Sequence, residues 1–203
     1  MMRALAKHSP LRWLRFRCGN FRLWNDERGV SAVEFALILP VMMVLYLGGV
    51  EVSKGISVNR KVTLAARTLS DLVAQVAKVT AADISNVLSA GEAVSWPFND
   101  GNLKLRVSNV EVDALGVAKI KWSRARNWTP RADNDVLTGV DDVPAGVKVP
   151  GKVTYLIWSE VEYFYKPAVG GGVYAIIGEN GIKLWDEIYM RPRLSETVTC
   201  DAC

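Results

Sequence analysis

The sequence predicts an α+β fold in which a long N-terminal helix, first apolar and then amphipathic, packs on an antiparallel sheet of four or five strands. Three observations predict it. From Val30 to Val50 the only charged residue is Glu34. Beyond Glu51, Val62, Ala65, Leu69, Leu72 and Val76 recur at spacings of three and four, the period of one helix face. After residue 100, runs such as "NLKLRVSNVEVD" and "VTYLIWSEVEYFY" alternate or continue as strands do, and turn residues separate them.

The 203 residues divide by composition into four segments: a basic leader (1–29), an apolar helix (30–51), an amphipathic extension (52–79) and a mixed body (80–203). The leader holds seven Lys/Arg against Asp26 and Glu27, whereas the remainder holds 18 basic and 19 acidic residues. The basic character therefore belongs to the leader. A nearly neutral body has no electrostatic footprint for nucleic acid, and "RFRCGNFRLW" reads better as a cytosol-facing flank than as a nucleic-acid arm.

The apolar run, 21 residues at about 1.5 Å each, is long enough for one bilayer core. It exits into "GGVEVSKGIS" without a small-x-small cleavage site, which argues against a removed secretory signal. Basic residues near its ends number five on the leader side and four beyond, so the positive-inside bias is slight. Pro40 removes one backbone hydrogen bond inside the span. Gly48, Gly49 and Gly55 suit either a bend or a close helix neighbour. The amphipathic helix is expected to run to about Val79, giving one helix from about Val30.

In the body, Asp83 is placed as N-cap of a short helix ending at Gly91. The next strand alternates at Leu103, Leu105 and Val107, then slips to Val110 and Val112, which suggests a bulge near Ser108. "DALG" is a turn, and "VAKIKWSR" would face Ala118, Ile120 and Trp122 one way. Residues 125–151 read as an irregular loop, 154–165 as the longest strand, 170–172 as a flexible connection, and 173–190 as a hairpin turning at Asn180-Gly181. Most aromatics are assigned to packing; Tyr163 and Tyr165 are the candidates for an exposed subunit contact.

The chemistry of sites is sparse. The single histidine, His8, lies in the leader, which excludes a His-based triad or His-ligated zinc in the body. No phosphate-loop, dinucleotide or nucleophile-elbow motif occurs, and Asp141-Asp142 is ordinary loop composition before it is a calcium site. No enzymatic activity, cofactor, resident metal or small-molecule substrate is expected. Cys200 and Cys203 in "CDAC" lack the βαβ setting of a redox motif. In an oxidising compartment they would close a small ring or join another subunit.

One acid remains to be explained. Burying a lone carboxylate in hydrocarbon is costly, so Glu34 is a functional-site candidate beside the simpler reading of an acid snorkelling to the headgroups. Arg28, Gly29, four small or apolar residues and then Glu34 resemble the processing signal of type IV prepilins. More specifically, Arg28, Gly29, Ala32, Val33, Glu34, Phe35, Ala36, Leu37, Leu39, Pro40 and Ala65-Ala66-Arg67 resemble the TadE/TadG-like family of tight-adherence (Flp) pilus assembly proteins; "IYMRPRLSETV" is similar to that family's C-terminal ending.

The resemblance implies a pilin-like fold and a minor pilin or pseudopilin assisting assembly of such a pilus. A membrane-embedded prepilin peptidase would cut between Gly29 and Val30, and Glu34 would pair with the new α-ammonium during assembly. The implied partners are the membrane, the peptidase, other pilins or pseudopilins and the assembly machinery. The implied location is the bacterial inner membrane, N-terminus cytoplasmic and C-terminal domain periplasmic, with entry into a pilus as a further step. The 29-residue leader is long for a prepilin. The alternatives are therefore an unprocessed single-pass scaffold of the same secretion system, or an adhesin-like binding domain on the same anchor.

Overall fold

A computed structural model describes residues 28–138, 143–149, 151–167 and 181–201. The leader up to residue 27, Cys18, Asp141 and Asp142, the 170–172 connection, Asn180 and Cys203 lie outside the described residues. The chain forms two compact units, Met1–Leu45 and Tyr46–Cys203.

In the first unit the described residues are all helical, the start of helix α1 (Arg28–Ala74). Pro40 lies within the helix. Val33, Phe35, Leu37, Val44 and their neighbours are exposed, so the surface here is apolar but for Ser31 and Glu34. The helix is long and apolar enough to cross a membrane.

In the second unit α1 changes character. Val58, Val62, Ala65, Ala66, Leu69 and Val73 are buried at spacings of three and four, so this stretch covers the sheet. Leu72 and Val76, placed on that stripe by the spacing, are part-exposed; Val73 and Ala74 take the inward places. The helix ends at Ala74 rather than near Val79. Its end carbonyls need partners, and the backbone N–H of Arg193 donates to Ala74 O at 2.9 Å. Lys78–Thr80 then forms a short strand, β1, parallel to the C-terminal strand β7 (Thr199–Asp201), with an ion pair between Lys78 and Asp201.

Helix α2 (Ala81–Ser95) is capped by Thr80, not Asp83. Thr80 Oγ1 accepts from Asp83 N at 3.3 Å, and the Asp83 carboxylate accepts from Thr80 N at 2.9 Å. This reciprocal capping box places the acid three residues inside the helix, where it satisfies the cap's own donor. The Thr80 hydroxyl, which donates to the Asp83 carboxylate at 2.7 Å, and then the Thr80 N–H hold that carboxyl below its usual range. Gly91 packs tightly on the core: a Cβ there would lie 3.0 Å from Leu69 Cδ2 and 3.4 Å from Leu105 Cδ1.

The main sheet has five antiparallel strands in the order β4-β3-β2-β5-β6: β2 (Leu103–Val112), β3 (Ala118–Arg126), β4 (Val136–Leu137), β5 (Thr154–Tyr165) and β6 (Ile182–Met190). The β2–β5 register is unbroken, so the apolar slip in β2 is not a bulge in that strand. Leu103, Leu105 and Val107 face the helices, whereas Val110 and Val112 face a second core on the opposite side. The irregularity lies in the β2–β3 pairing: Asn109 pairs with Trp122 and Val110 with Ile120, leaving Lys121 as the extra residue of β3. It separates Trp122, in the helix-side core, from Ala118 and Ile120, in the other. Within residues 125–151, β4 adds an edge strand and Ala145–Val147 a 3-10 turn.

Tyr163 and Tyr165 are buried, not exposed contacts. They alternate with Ile157 and Val161 toward the helix-side core. Phe98 packs edge-on against Tyr163 at 6.0 Å, and Tyr165 donates to Glu51 Oε2 at 2.8 Å.

Candidate functional site

Gly29 and Val30 lie in the first turn of α1, and Glu34 stands four residues after Val30. That spacing puts Glu34 on the same helix face as Val30, one turn along, or about 6 Å of rise. Glu34 is exposed on an apolar surface formed by Val33, Phe35, Leu37 and Ile38. Among the described residues, nothing lies within 4 Å of a Cβ built on Gly29. A carboxylate so placed can neutralise an α-ammonium at residue 30 of its own or a neighbouring helix.

Polar contacts seat α1 on the sheet and on the segment that follows it. Thr63 donates to Asp186 of β6. Ser159 Oγ donates to Ala66 O at 2.6 Å, and Ser70 Oγ shares its hydrogen between Ser159 Oγ at 2.5 Å and Ile188 O at 3.3 Å. Asp71 pairs with Arg193 at 2.5 Å. Directional bonds at Thr63, Ala66 and Ser70 favour one register of helix on sheet, which apolar packing alone leaves less sharply defined.

The C-terminal tail closes this arrangement. Val198 O accepts from Trp122 Nε1 at 2.8 Å and from Asn109 Nδ2 at 2.7 Å, and the buried Val198 joins the helix-side core. Cys200 pairs in register with Val79 and is disulfide-bonded. Its proposed partner, Cys203, lies outside the described residues.

A charged cluster occupies the other face of the sheet. Glu160 is buried and accepts from Arg106 Nε and Nη2 at 2.6 and 2.5 Å and from Arg131 Nη2 at 3.0 Å. The Arg106 guanidinium lies 4.1 Å from the centre of the Trp128 ring, and that of Arg131 4.1 Å from the Trp158 ring. Trp158 stacks on Tyr189 at 5.3 Å and donates to Glu187 at 3.0 Å. Burial pushes the Glu187 carboxyl above its usual range, with Glu160 adding to the shift. Burial and these carboxylates likewise raise the Tyr189 phenol. Burial also opposes ionisation of Glu162, yet hydrogen bonds from Lys104 and Lys183 outweigh it and hold that carboxyl below its usual range. The Arg106–Glu160 pair is enclosed, so it pins the 127–137 loop to the sheet rather than offering charge to a ligand. Sequence reading missed this cluster because Arg106, Glu160 and Glu162 sit at alternating positions that read as a solvent face. The available signal was Trp128 and Arg131 in the loop that covers them.

Comparison with known proteins is consistent with the N-terminal reading. Residues 29–70 match the family model described as TadE-like protein, which begins at Gly29 and ends in the core-facing part of α1. No curated protein and no solved structure matches the chain.

Proposed function

Proceeding from a TadE-like segment at residues 29–70, we propose that the chain is a minor pilin or pseudopilin that assists assembly of a tight-adherence pilus. The observation that carries this reading is Glu34, held one helical turn from Val30 on the exposed apolar part of α1. Cleavage between Gly29 and Val30 by a prepilin peptidase creates an ammonium within reach of that carboxylate. The apolar helix stores the subunit in the inner membrane, and residues beyond it face the periplasm. The disulfide at Cys200 supports an oxidising compartment for the body. Partners are other pilins and the assembly machinery, met through the membrane-embedded helix rather than through a small-molecule site.

A second reading has its own observation. Gly29 and Val30 are both helical, so the bond between them lies in a turn that must unwind to be cut. An unprocessed single-pass scaffold needs no such step. Mass spectrometry of the protein from its native membrane separates the two. A pilin starts at Val30, and Gly29→Arg restores a chain that retains the leader. An uncut chain in cells with active peptidase removes the pilin reading and leaves the scaffold.

A further inference from the structure

The sheet-bearing unit's part of α1 carries a second stripe, opposite the one that meets the sheet. Ile56, Arg60, Leu64, Arg67 and Asp71 recur at spacings of four, four, three and four. At about 100° per residue they fall within an arc of about 80°, on the side of the helix away from the buried Val58, Val62, Ala65, Leu69 and Val73. Ile56 and Leu64 are 51% and 52% exposed, and both arginines are exposed. Ile56, Arg60 and Leu64 form one i+4 ridge, the kind of row that packs into the groove of a neighbouring helix. The charge on this face is one-sided. Between Glu51 and Asp71 the sequence has four basic residues and no acidic one. Of the four, Lys61 donates to Val94 O at 3.3 Å, and Lys54 lies off the stripe. The two bracketing acids are engaged: Glu51 accepts from Tyr165 Oη at 2.8 Å, and Asp71 accepts from Arg193 on one oxygen and Gln75 on the other. Among the described residues, Arg60 and Arg67 have neither an ion pair nor a hydrogen-bonding partner for their side chains. They stand two helical turns, or about 10 Å, apart.

We propose that this face is a docking surface for an acidic amphipathic helix of a different chain. Aliphatic side chains of that helix cover Ile56 and Leu64, and two of its carboxylates, two turns apart, pair with Arg60 and Arg67. The guanidinium fork matches a carboxylate with two parallel hydrogen bonds, so each arginine fixes orientation as well as charge. Charge decides against a second copy of this chain. An in-register parallel pair sets Arg60 on Arg60 and Arg67 on Arg67, and an antiparallel pair sets Arg60 on Arg67. Like charges meet in either direction, which costs affinity where opposite charges would add specificity. The surface lies beyond the apolar run in sequence, and it serves a processed pilin and an unprocessed scaffold equally.

The test places a photoreactive benzophenone residue at position 64 of the full chain, made in its native host, and identifies the adducts by mass spectrometry. The expected adduct is a peptide of another protein that carries acidic residues two turns apart in a helical aliphatic pattern. Arg60→Glu with Arg67→Glu should lower its yield several-fold at unchanged Tm, since both side chains are exposed and unpaired, and exchanging the partner's two acids for lysine should restore it. The same probe at position 115, 90% exposed at the β2–β3 turn, is the control and should not form this adduct. None of these readouts depends on cleavage after Gly29, so the docking surface and the assembly reading fail separately. An adduct between two copies of this chain overturns the proposal. So does an adduct with lipid alone, a protein adduct indifferent to the charge reversal, or no adduct at position 64.

Discussion

Removing the Glu160 carboxylate is expected to be the most damaging single change in the body outside its apolar cores. Glu160→Ala leaves the Arg106 and Arg131 guanidinia facing each other in a site where Glu160 was 3% exposed. Breaking a buried ion pair by deleting one partner costs about 3–5 kcal/mol, because the surviving charge stays desolvated. Here two charges survive, but both keep partial compensation. Arg106 retains its bond to Thr129 O at 3.2 Å and its stacking on Trp128, and Arg131 retains the face of Trp158. The lower end, about 3 kcal/mol, is therefore expected. For a chain of this size each kcal/mol moves Tm by about 2–4 °C, so the drop should be about 6–12 °C. Thermal unfolding of the full chain in detergent, followed by near-ultraviolet circular dichroism of the tryptophans, measures it. Asp71→Ala is the control: its pair with Arg193 is 39% and 55% exposed and should be worth under about 1 kcal/mol. If Glu160→Ala shifts Tm no more than Asp71→Ala, the guanidinia are hydrated and the cluster is not the lock described. A second check is the combined change Arg106→Met, Glu160→Leu and Arg131→Met, which removes every charge and should recover most of the loss.

Glu187→Gln should stabilise the protein at neutral pH, with little effect at pH 4. A carboxyl whose folded pKa is raised contributes stability below its unfolded value near 4.5 and loses it as pH rises through the folded value, and Gln keeps an acceptor for Trp158 and Tyr189. Glu162→Gln should have the opposite sign, removing stability at pH 7 that the wild type loses anyway on acidification; denaturant midpoints across pH 4–8 report both. Glu34→Leu should leave insertion and cleavage unchanged while surface piliation falls, and unchanged piliation would assign Glu34 to snorkelling alone. Cys200→Ser with Cys203→Ser should lower Tm slightly, near the low end of the roughly 0–5 kcal/mol range for disulfides, because a ring of that span constrains little chain. A reducible dimer on non-reducing gels, absent in the double variant, would reassign the bond to a subunit link.

The parts of the fold that were legible in the sequence are those whose signal is local. An apolar run long enough for a bilayer, a stripe at three-and-four spacing and a strand alternating at Leu103, Leu105 and Val107 each announce themselves within a few turns or residues. What stayed hidden depends on distant segments. Helix α1 stops at Ala74 because Arg193, far along the chain, supplies the N–H that caps it, and Val79 becomes strand because Cys200 comes to lie beside it. The choice between Thr80 and Asp83 as N-cap required knowing which residue was extended, since the capping box uses both. The face switch at Val110 looked like a bulge because a single strand cannot reveal that both sides of its sheet are covered. The 127–137 loop, Val143 and Val147 form that second cover, turning an alternation that reads as half-exposed into two cores. For the apolar end the balance reverses. There the exposed apolar residues and Glu34 have no tertiary context to override their sequence pattern, and the same segment that was readable from the residues is the one that matches a family model. The segment most legible in sequence is therefore the apolar helix with its TadE-like stretch, while the seating of residues 58–73 on the sheet lies in contacts between distant residues such as Ser70 with Ser159 and Thr63 with Asp186.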